Sequence, residues 1–272
     1  MKKILCPTDF SDAAHDAIAY AAKLARDTNS DLSLLHVQSV FDLTPTAVVG
    51  GSLLTTDRVA ERLDAQCREV TKTFRVSCYA EIESGTRKLS SVIKDKAKGC
   101  DLVVMGSDGP NDLYQFFSGS NTYNTIVKSK IPVLLVPLGY VYSKIKTMVY
   151  AFDYLHERSL PLDRLLSFLN ALKCELTVLQ VIEEAQSKKA EKDLAELQFI
   201  IAAFNRDDIK FRYDTIRSSQ IAQSINSYIL KTPTDALALC SVNRNLVERI
   251  FHKSVIKSIS AFCSYPVLVF HK

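Results

Sequence analysis

The stretch from Met105 to Thr122, MGSDGPNDLYQFFSGSNT, holds three of the eight glycines in a chain of 272 residues. Gly106, Gly109 and Gly119 follow directly on the apolar run DLVVM, in the spacing Gly-x2-Gly-x9-Gly-Ser. Gly106 and Gly109 let the backbone turn sharply and let a ligand approach without a Cβ in the way. Gly119 and Ser120 precede NTYNTIVKSK, which reads as a helix. The free N–H groups and positive dipole end at its start suit phosphate. The chemistry on offer is therefore anion binding at the end of a strand. The spacing is neither the Walker pattern nor the dinucleotide GxGxxG.

Little beside this stretch points to catalysis. Phosphoryl transfer wants a positioned nucleophile, charge stabilisation and metal ligands. From Gly106 to Val127 there is no Lys or Arg, and there are two acids, Asp108 and Asp112. The five histidines (His15, His36, His156, His252, His271) show no metal-binding spacing, so no metal site is expected. His36 lies inside an apolar run and reads as a core histidine with its hydrogen bonds met. No catalytic residue is assigned.

The elements that must position the glycines emerge from a repeat. KKILCPTDFS at 2–11 matches KTMVYAFDYL at 146–155, and SDLSLLHVQ at 30–38 matches CELTVLQVI at 174–182. CDLVVMGS at 100–107 matches TDALALCS at 234–241, and SKIPVLLVPL at 129–138 matches CSYPVLVFHK at 263–272. Four landmarks in one order make a duplicated domain. Each landmark is a short Val/Leu/Ile run without clean alternation, as in strands buried on both faces. The segments between them have helical spacing, as in DAAHDAIAYAAKLARDT and TTDRVAERLDAQCREVTKTF. Further strands fit RVSCYAEIES at 75–84 and FRYDTI at 211–216. The expected fold class is α/β: two tandem doubly wound, Rossmann-like domains over 1–140 and 141–272, each a five-stranded parallel sheet flanked by helices. Their last strands, IPVLLVPLG and YPVLVFHK, need edge cover. Pairing them would make the chain a pseudo-dimer; a further homodimer is left open.

Composition sets outer limits. The chain is 47% hydrophobic and 24% charged, with a net charge of +4. The first 140 residues carry as many basic as acidic side chains, so the whole excess lies in the second half. That surplus is too small to argue for nucleic acid. No apolar run approaches the roughly 18 residues of a membrane span, and MKKILCPTDFSD reaches Asp9 too soon for a signal peptide. Seven scattered cysteines without CxxC read as free, mostly buried thiols in a reducing cytoplasm.

CPTDFSDAA near the start, LLHV at 34–37 and MGSDGPNDLYQFFSGS together resemble the universal stress protein family, here in tandem form over essentially the whole chain. The resemblance implies a nucleotide-binding stress-response protein whose ligand is ATP or another adenine nucleotide. It also implies pairing of domains through their last strands, with an unknown protein partner. By position, Pro7, Thr8 and Asp9 would line the adenine–ribose side, and Val37 would offer backbone contact to the base. Met105, Gly106 and Gly109 would follow the ribose and phosphates; Gly119, Ser120 and Asn121 would hold phosphate oxygens.

The chain departs from the family pattern at two places. Relatives often carry His or Arg between the first two glycines, where this chain has Ser107 and Asp108. With no basic partner, a triphosphate would lean on N–H groups, Ser120 and a divalent cation, Mg2+ being the candidate. In the second repeat, Cys240, Asn243 and Lys253 stand where Gly106, Gly109 and Gly119 stand in the first, and only Ser254 keeps its type. Nucleotide is therefore expected in the first domain only. The alternative function is a structural or interaction module in which both repeats have left nucleotide binding behind, or, as the resemblance allows, a slow ATP hydrolase. The first repeat also carries an extra segment, FDLTPTAVVGGSLLTT at 41–56, which reads as a packing loop or a lid over the ligand end of the sheet.

Overall fold

The computed structural model describes residues 1–39, 56–87, 89–107, 131–152, 162–182, 187–204, 209–241 and 264–271. They form two compact units, with the change from one to the other between Tyr142 and Ser143. The first unit runs β1 (Lys3–Pro7), α1 (Asp12–Thr28), β2 (Asp31–Ser39), α2 (Thr56–Phe74), β3 (Cys78–Gly85), α3 (Leu89–Lys96), β4 (Leu102–Ser107) and β5 (Val133–Pro137). The second runs β6 (Thr147–Phe152), α4 (Leu162–Leu172), β7 (Glu175–Ile182), α5 (Ser187–Phe204), β8 (Phe211–Arg217), α6 (Ile221–Lys231), β9 (Ala236–Ser241) and β10 (Val267–His271). Among the described residues, no helix is long and apolar enough to cross a membrane.

Each unit is a parallel sheet with the same strand order. In the first it is β3-β2-β1-β4-β5, and in the second β8-β7-β6-β9-β10. Every pairing within each unit is parallel. The register reproduces the repeat. Gly106 pairs with Val136 in the first unit, and Cys240 pairs with Phe270 in the second. Gly106 and Cys240 therefore hold the same place in the fold.

The apolar runs become strands because helices cover them. Ile4, Leu5 and Cys6 of β1 are fully buried, as are Leu102, Val103 and Val104 of β4. The edge strands β3 and β8 are less buried. Their residues run intermediate and exposed, because each has a paired strand on one side only. Helix α1 starts with Ser11 as N-cap, whose hydroxyl accepts from Ala14 N–H, and ends at Asn29 in the left-handed conformation. Its buried face is mostly alanine (Ala13, Ala14, Ala17, Ala21, Ala22, Ala25), which lets it lie close to the sheet.

One acid in each unit ties down the start of the central strand. The Asp101 carboxylate accepts from the N–H groups of Lys2 and Lys3 at 2.5 and 3.0 Å. In the second unit Asp235 accepts from Lys146 and Thr147 at 2.8 and 2.9 Å. Beyond β5, the chain stays fastened to α1: Gly139 N–H donates to Asp16 and the Tyr142 hydroxyl to Asp27, both at 2.7 Å.

Leu5 lies in the middle of the central strand and is fully buried. Leu5→Ala is expected to lower the stability of the first unit by about 2–5 kcal/mol, read from urea unfolding. A loss below about 1 kcal/mol would contradict this packing.

Candidate functional site

In the first unit the chain winds from β1 outward through β2 to β3, then returns to place β4 on the other flank of β1. The gap between β1 and β4 is thus the point where strand order reverses, and ligands of open parallel sheets bind at its carboxyl end. Pro7 closes β1, Val37 lies near the end of β2, and Met105 and Gly106 lie near the end of β4. These residues therefore share one edge of the unit. Gly109, Gly119, Ser120 and Asn121 lie outside the described residues, as do Asp108 and the segment 41–55.

The segment Pro7–Ser11 builds the turn out of β1 from side-chain hydrogen bonds. Thr8 N–H still pairs with the Leu35 carbonyl of β2 at 2.8 Å. Phe10 then adopts a left-handed backbone, φ 65°, which a phenylalanine does not take unaided. Two local bonds hold it there: Phe10 N–H donates to Thr8 Oγ1 at 3.1 Å, and Ser11 N–H to Asp9 Oδ1 at 3.0 Å. The Ser11 hydroxyl donates to the same Asp9 oxygen at 2.6 Å while capping α1.

This arrangement fixes Asp9 as an ionised acceptor. Partial burial works to raise its pKa. The hydroxyl and N–H of Ser11, its own N–H and the nearby His36 outweigh that, and hold the carboxyl below the usual aspartate range. Asp9 remains exposed, so its second oxygen can meet a hydroxyl or a cation.

Three neighbours were not among the residues expected from sequence. His36 donates from Nδ1 to the Thr8 carbonyl at 2.8 Å. It is half-buried rather than a core residue. Its ring packs on Phe10 with centroids 4.7 Å apart, and the Arg62 guanidinium of α2 lies 4.3 Å from the Phe10 ring centre. Histidine next to Val37 in LLHV was the one available signal. The pairing with Phe10 and Arg62 joins three elements and leaves no mark in local sequence.

Gly106 has a different reason from the one expected. A Cβ there would sit 2.2 Å from the Ala13 carbonyl oxygen and 2.5 Å from its carbon. Real Cβ atoms do not approach backbone so closely, and backbone cannot swing aside. The absence of a side chain at Gly106 is therefore required by the first turn of α1, whatever ligand the site takes. One residue on, the Ser107 hydroxyl is buried and has no partner among the described residues. It stands where the glycine stretch leaves the sheet.

The second unit lacks these groups. The register puts Gln180 in the place of His36 and Phe152 in the place of Thr8, and Cys240 in that of Gly106. All eight glycines of the chain fall at or before Gly139. The counterpart of Asp9, Asp153, lies outside the described residues.

The model of the universal stress protein family matches residues 1–137, just over half of the chain. The chain belongs to the universal stress protein family. A universal stress protein of Methanocaldococcus jannaschii is 29% identical over 154 residues, which cover 50% of this chain and 94% of that protein. One from Helicobacter pylori is 30% identical over 125 residues, 44% of this chain and 89% of that one. The crystal structure of a universal stress protein from Archaeoglobus fulgidus covers 99% of this chain and 98% of its own, with a TM-score of 0.70 at 18% identity. That full-length likeness is one of fold: universal stress protein units in tandem.

Two outcomes test the site's construction. Gly106→Ala is expected to cost roughly 1–3 kcal/mol of first-unit stability through overpacking against α1, measured by thermal or urea unfolding; a neutral substitution would contradict the contact. Asp9 has a lowered folded pKa, so its contribution is fully present above the unfolded aspartate value of about 3.9 and is lost as pH falls through the lower folded value. The stability gap between wild type and Asp9→Asn should therefore hold at neutral pH and close in acid. A gap independent of pH would contradict the Ser11–Asp9 bonds.

Proposed function

We propose that the first repeat binds an adenine nucleotide, ATP in the first instance, and that the chain acts as a nucleotide-responsive regulatory protein in stress adaptation. The observation that carries this reading is the ionised Asp9 carboxylate, oriented by Ser11 at the reversal point between β1 and β4. Such a carboxylate is a fit acceptor for ribose hydroxyls. Val37 and Met105 lie near the ends of the strands on either side of β1, and family membership supports the same ligand class.

The residues divide by chemistry. Pro7, Thr8 and Asp9 take the ribose side, and Val37 the base. Met105, Gly106 and Gly109 follow the ribose and phosphates, and Gly119, Ser120 and Asn121 take the phosphates through N–H and hydroxyl groups. The Ser107 hydroxyl, buried without a described partner, adds a donor at the same strand end. The stretch from Gly106 to Val127 has no cation to offset triphosphate charge. Mg2+ fits that need, with the phosphates as the oxygen donors it favours. When bound, it would neutralise phosphate charge. The missing lysine and arginine in this stretch support it.

The second repeat serves as a structural or interaction half without nucleotide. Cys240 puts a side chain in the place of Gly106, and no glycine follows Gly139. Binding through the first repeat also separates this reading from that of a module with no nucleotide in either half.

Equilibrium dialysis of ATP, AMP and cyclic AMP against wild type and Gly109→Val tests the proposal. One nucleotide per chain is expected, at least about tenfold weaker in Gly109→Val, which corresponds to about 1.4 kcal/mol. Chelating the divalent cation should weaken ATP more than AMP, because ATP carries more phosphate charge. No binding by wild type overturns the proposal; two nucleotides per chain overturns its restriction to the first repeat.

A further inference from the structure

Away from the carboxyl ends of the strands, α2 and the start of β3 border a groove of about 500 Å³ lined by Asp64, Cys67, Arg68, Lys72, Cys78 and Tyr79, among others. Cys67 lies on α2 and Cys78 opens β3. The Cys78 thiol donates to the Cys67 sulfur at 3.3 Å. Both are free cysteines, Cys67 buried and Cys78 partly exposed. The turn between them carries Arg75 at φ 57°, which brings the end of α2 back onto the start of β3. Nothing in the proposed nucleotide chemistry uses either sulfur.

We propose that Cys67 and Cys78 form a redox-active dithiol, oxidised by hydroperoxides to an intramolecular disulfide within this groove. The sulfurs need to close from 3.3 Å to about 2.05 Å. Both residues line the groove and Cys78 is partly exposed there, which gives a small oxidant access; Arg68 supplies positive charge near Cys67, against the negative charge of Asp64. Among the described residues, Cys6, Cys100 and Cys174 differ in having no second sulfur bonded to theirs, and burial raises their thiols, Cys174 to about 12.

The roles of the two sulfurs follow from their environment. The bond from Cys78 is the main cause that lowers the Cys67 thiol, with Arg68 assisting against burial and Asp64. The Cys78 thiol is raised, first by giving that same bond and then by burial. The sulfur that accepts this bond, Cys67, is assigned as the attacking thiolate. It attacks one peroxide oxygen, the O–O bond breaks, and hydroxide leaves and takes up the thiol's proton as water, which leaves Cys67 sulfenic acid. Cys78 then attacks the Cys67 sulfur. The S–O bond breaks, and the departing hydroxide leaves as the second water with the Cys78 proton. Two electrons pass from the sulfurs to one peroxide. A dithiol reductant returns the pair to thiols. The disulfide would close a short loop and fasten α2, which also carries Arg62 over Phe10, to β3.

The test treats the full chain with hydrogen peroxide in small molar excess, blocks the remaining thiols by alkylation, and maps unreduced peptides by mass spectrometry. The expected result is one linked pair joining Cys67 to Cys78, with the titre of free thiols falling by two of seven and returning with dithiothreitol. In Cys78→Ala, dimedone should capture a sulfenic acid on Cys67; in Cys67→Ala, Cys78 should stay unlabelled. The inference is overturned if wild-type Cys67 and Cys78 both emerge alkylated as thiols, or if the disulfides that form join other cysteines or separate chains. Equal dimedone labelling of Cys78 in Cys67→Ala overturns the assignment of Cys67 as the attacking sulfur.

Discussion

The close approach of Gly106 to the Ala13 carbonyl, where a Cβ would have only 2.2 Å, fixes where α1 begins. With its alanine face inward, α1 lies on the sheet with its first turn at the end of β4. That placement leaves only Thr8 to Ser11 to carry the chain from the end of β1 into the helix. The turn is tight enough to force Phe10 into the left-handed region, and the side chains of Thr8, Asp9 and Ser11 bond to their own backbone to hold it. The acceptor geometry of Asp9 is thus a consequence of helix packing as much as a provision for ligand. Strand-end residues and the helix start are positioned by one constraint.

The duplicated unit separates what the fold needs from what the first repeat adds. Asp101 and Asp235 hold the starts of β1 and β6 in the same way, and the strand order is the same in both units. These are features of the shared architecture. The first unit alone combines Gly106, Thr8 and His36. The second has Cys240, Phe152 and Gln180 at those places.

Much of this was legible in the sequence, for physical reasons. Buried parallel strands announce themselves as short apolar runs, and the two repeats placed each run twice. The edge strands β3 and β8 read less clearly because one side of each is partly solvated. Strand order was not legible, since it depends on pairings between distant runs. The places of Pro7, Val37, Met105 and Gly106 near the ends of β1, β2 and β4 followed from motif and position. The reason for Gly106 did not: a forbidden contact with Ala13 is tertiary, and reading glycine as room for a ligand missed it. Phe10, His36 and Arg62 meet from three elements, so no local pattern marks them. Cys67 and Cys78 looked like two more inert buried thiols, because only the return of α2 onto β3 sets their sulfurs side by side.

The central claim is that nucleotide binds at the reversal point of the first repeat and not in the second. Photoaffinity labelling of the full chain with an azido-adenine analogue of ATP, followed by peptide mapping, tests it most directly. The account predicts label in the first repeat, on peptides from the ends of β1, β2 or β4, and its suppression by unlabelled ATP. Label concentrated in residues 143–272, or label that unlabelled ATP does not suppress, would contradict it.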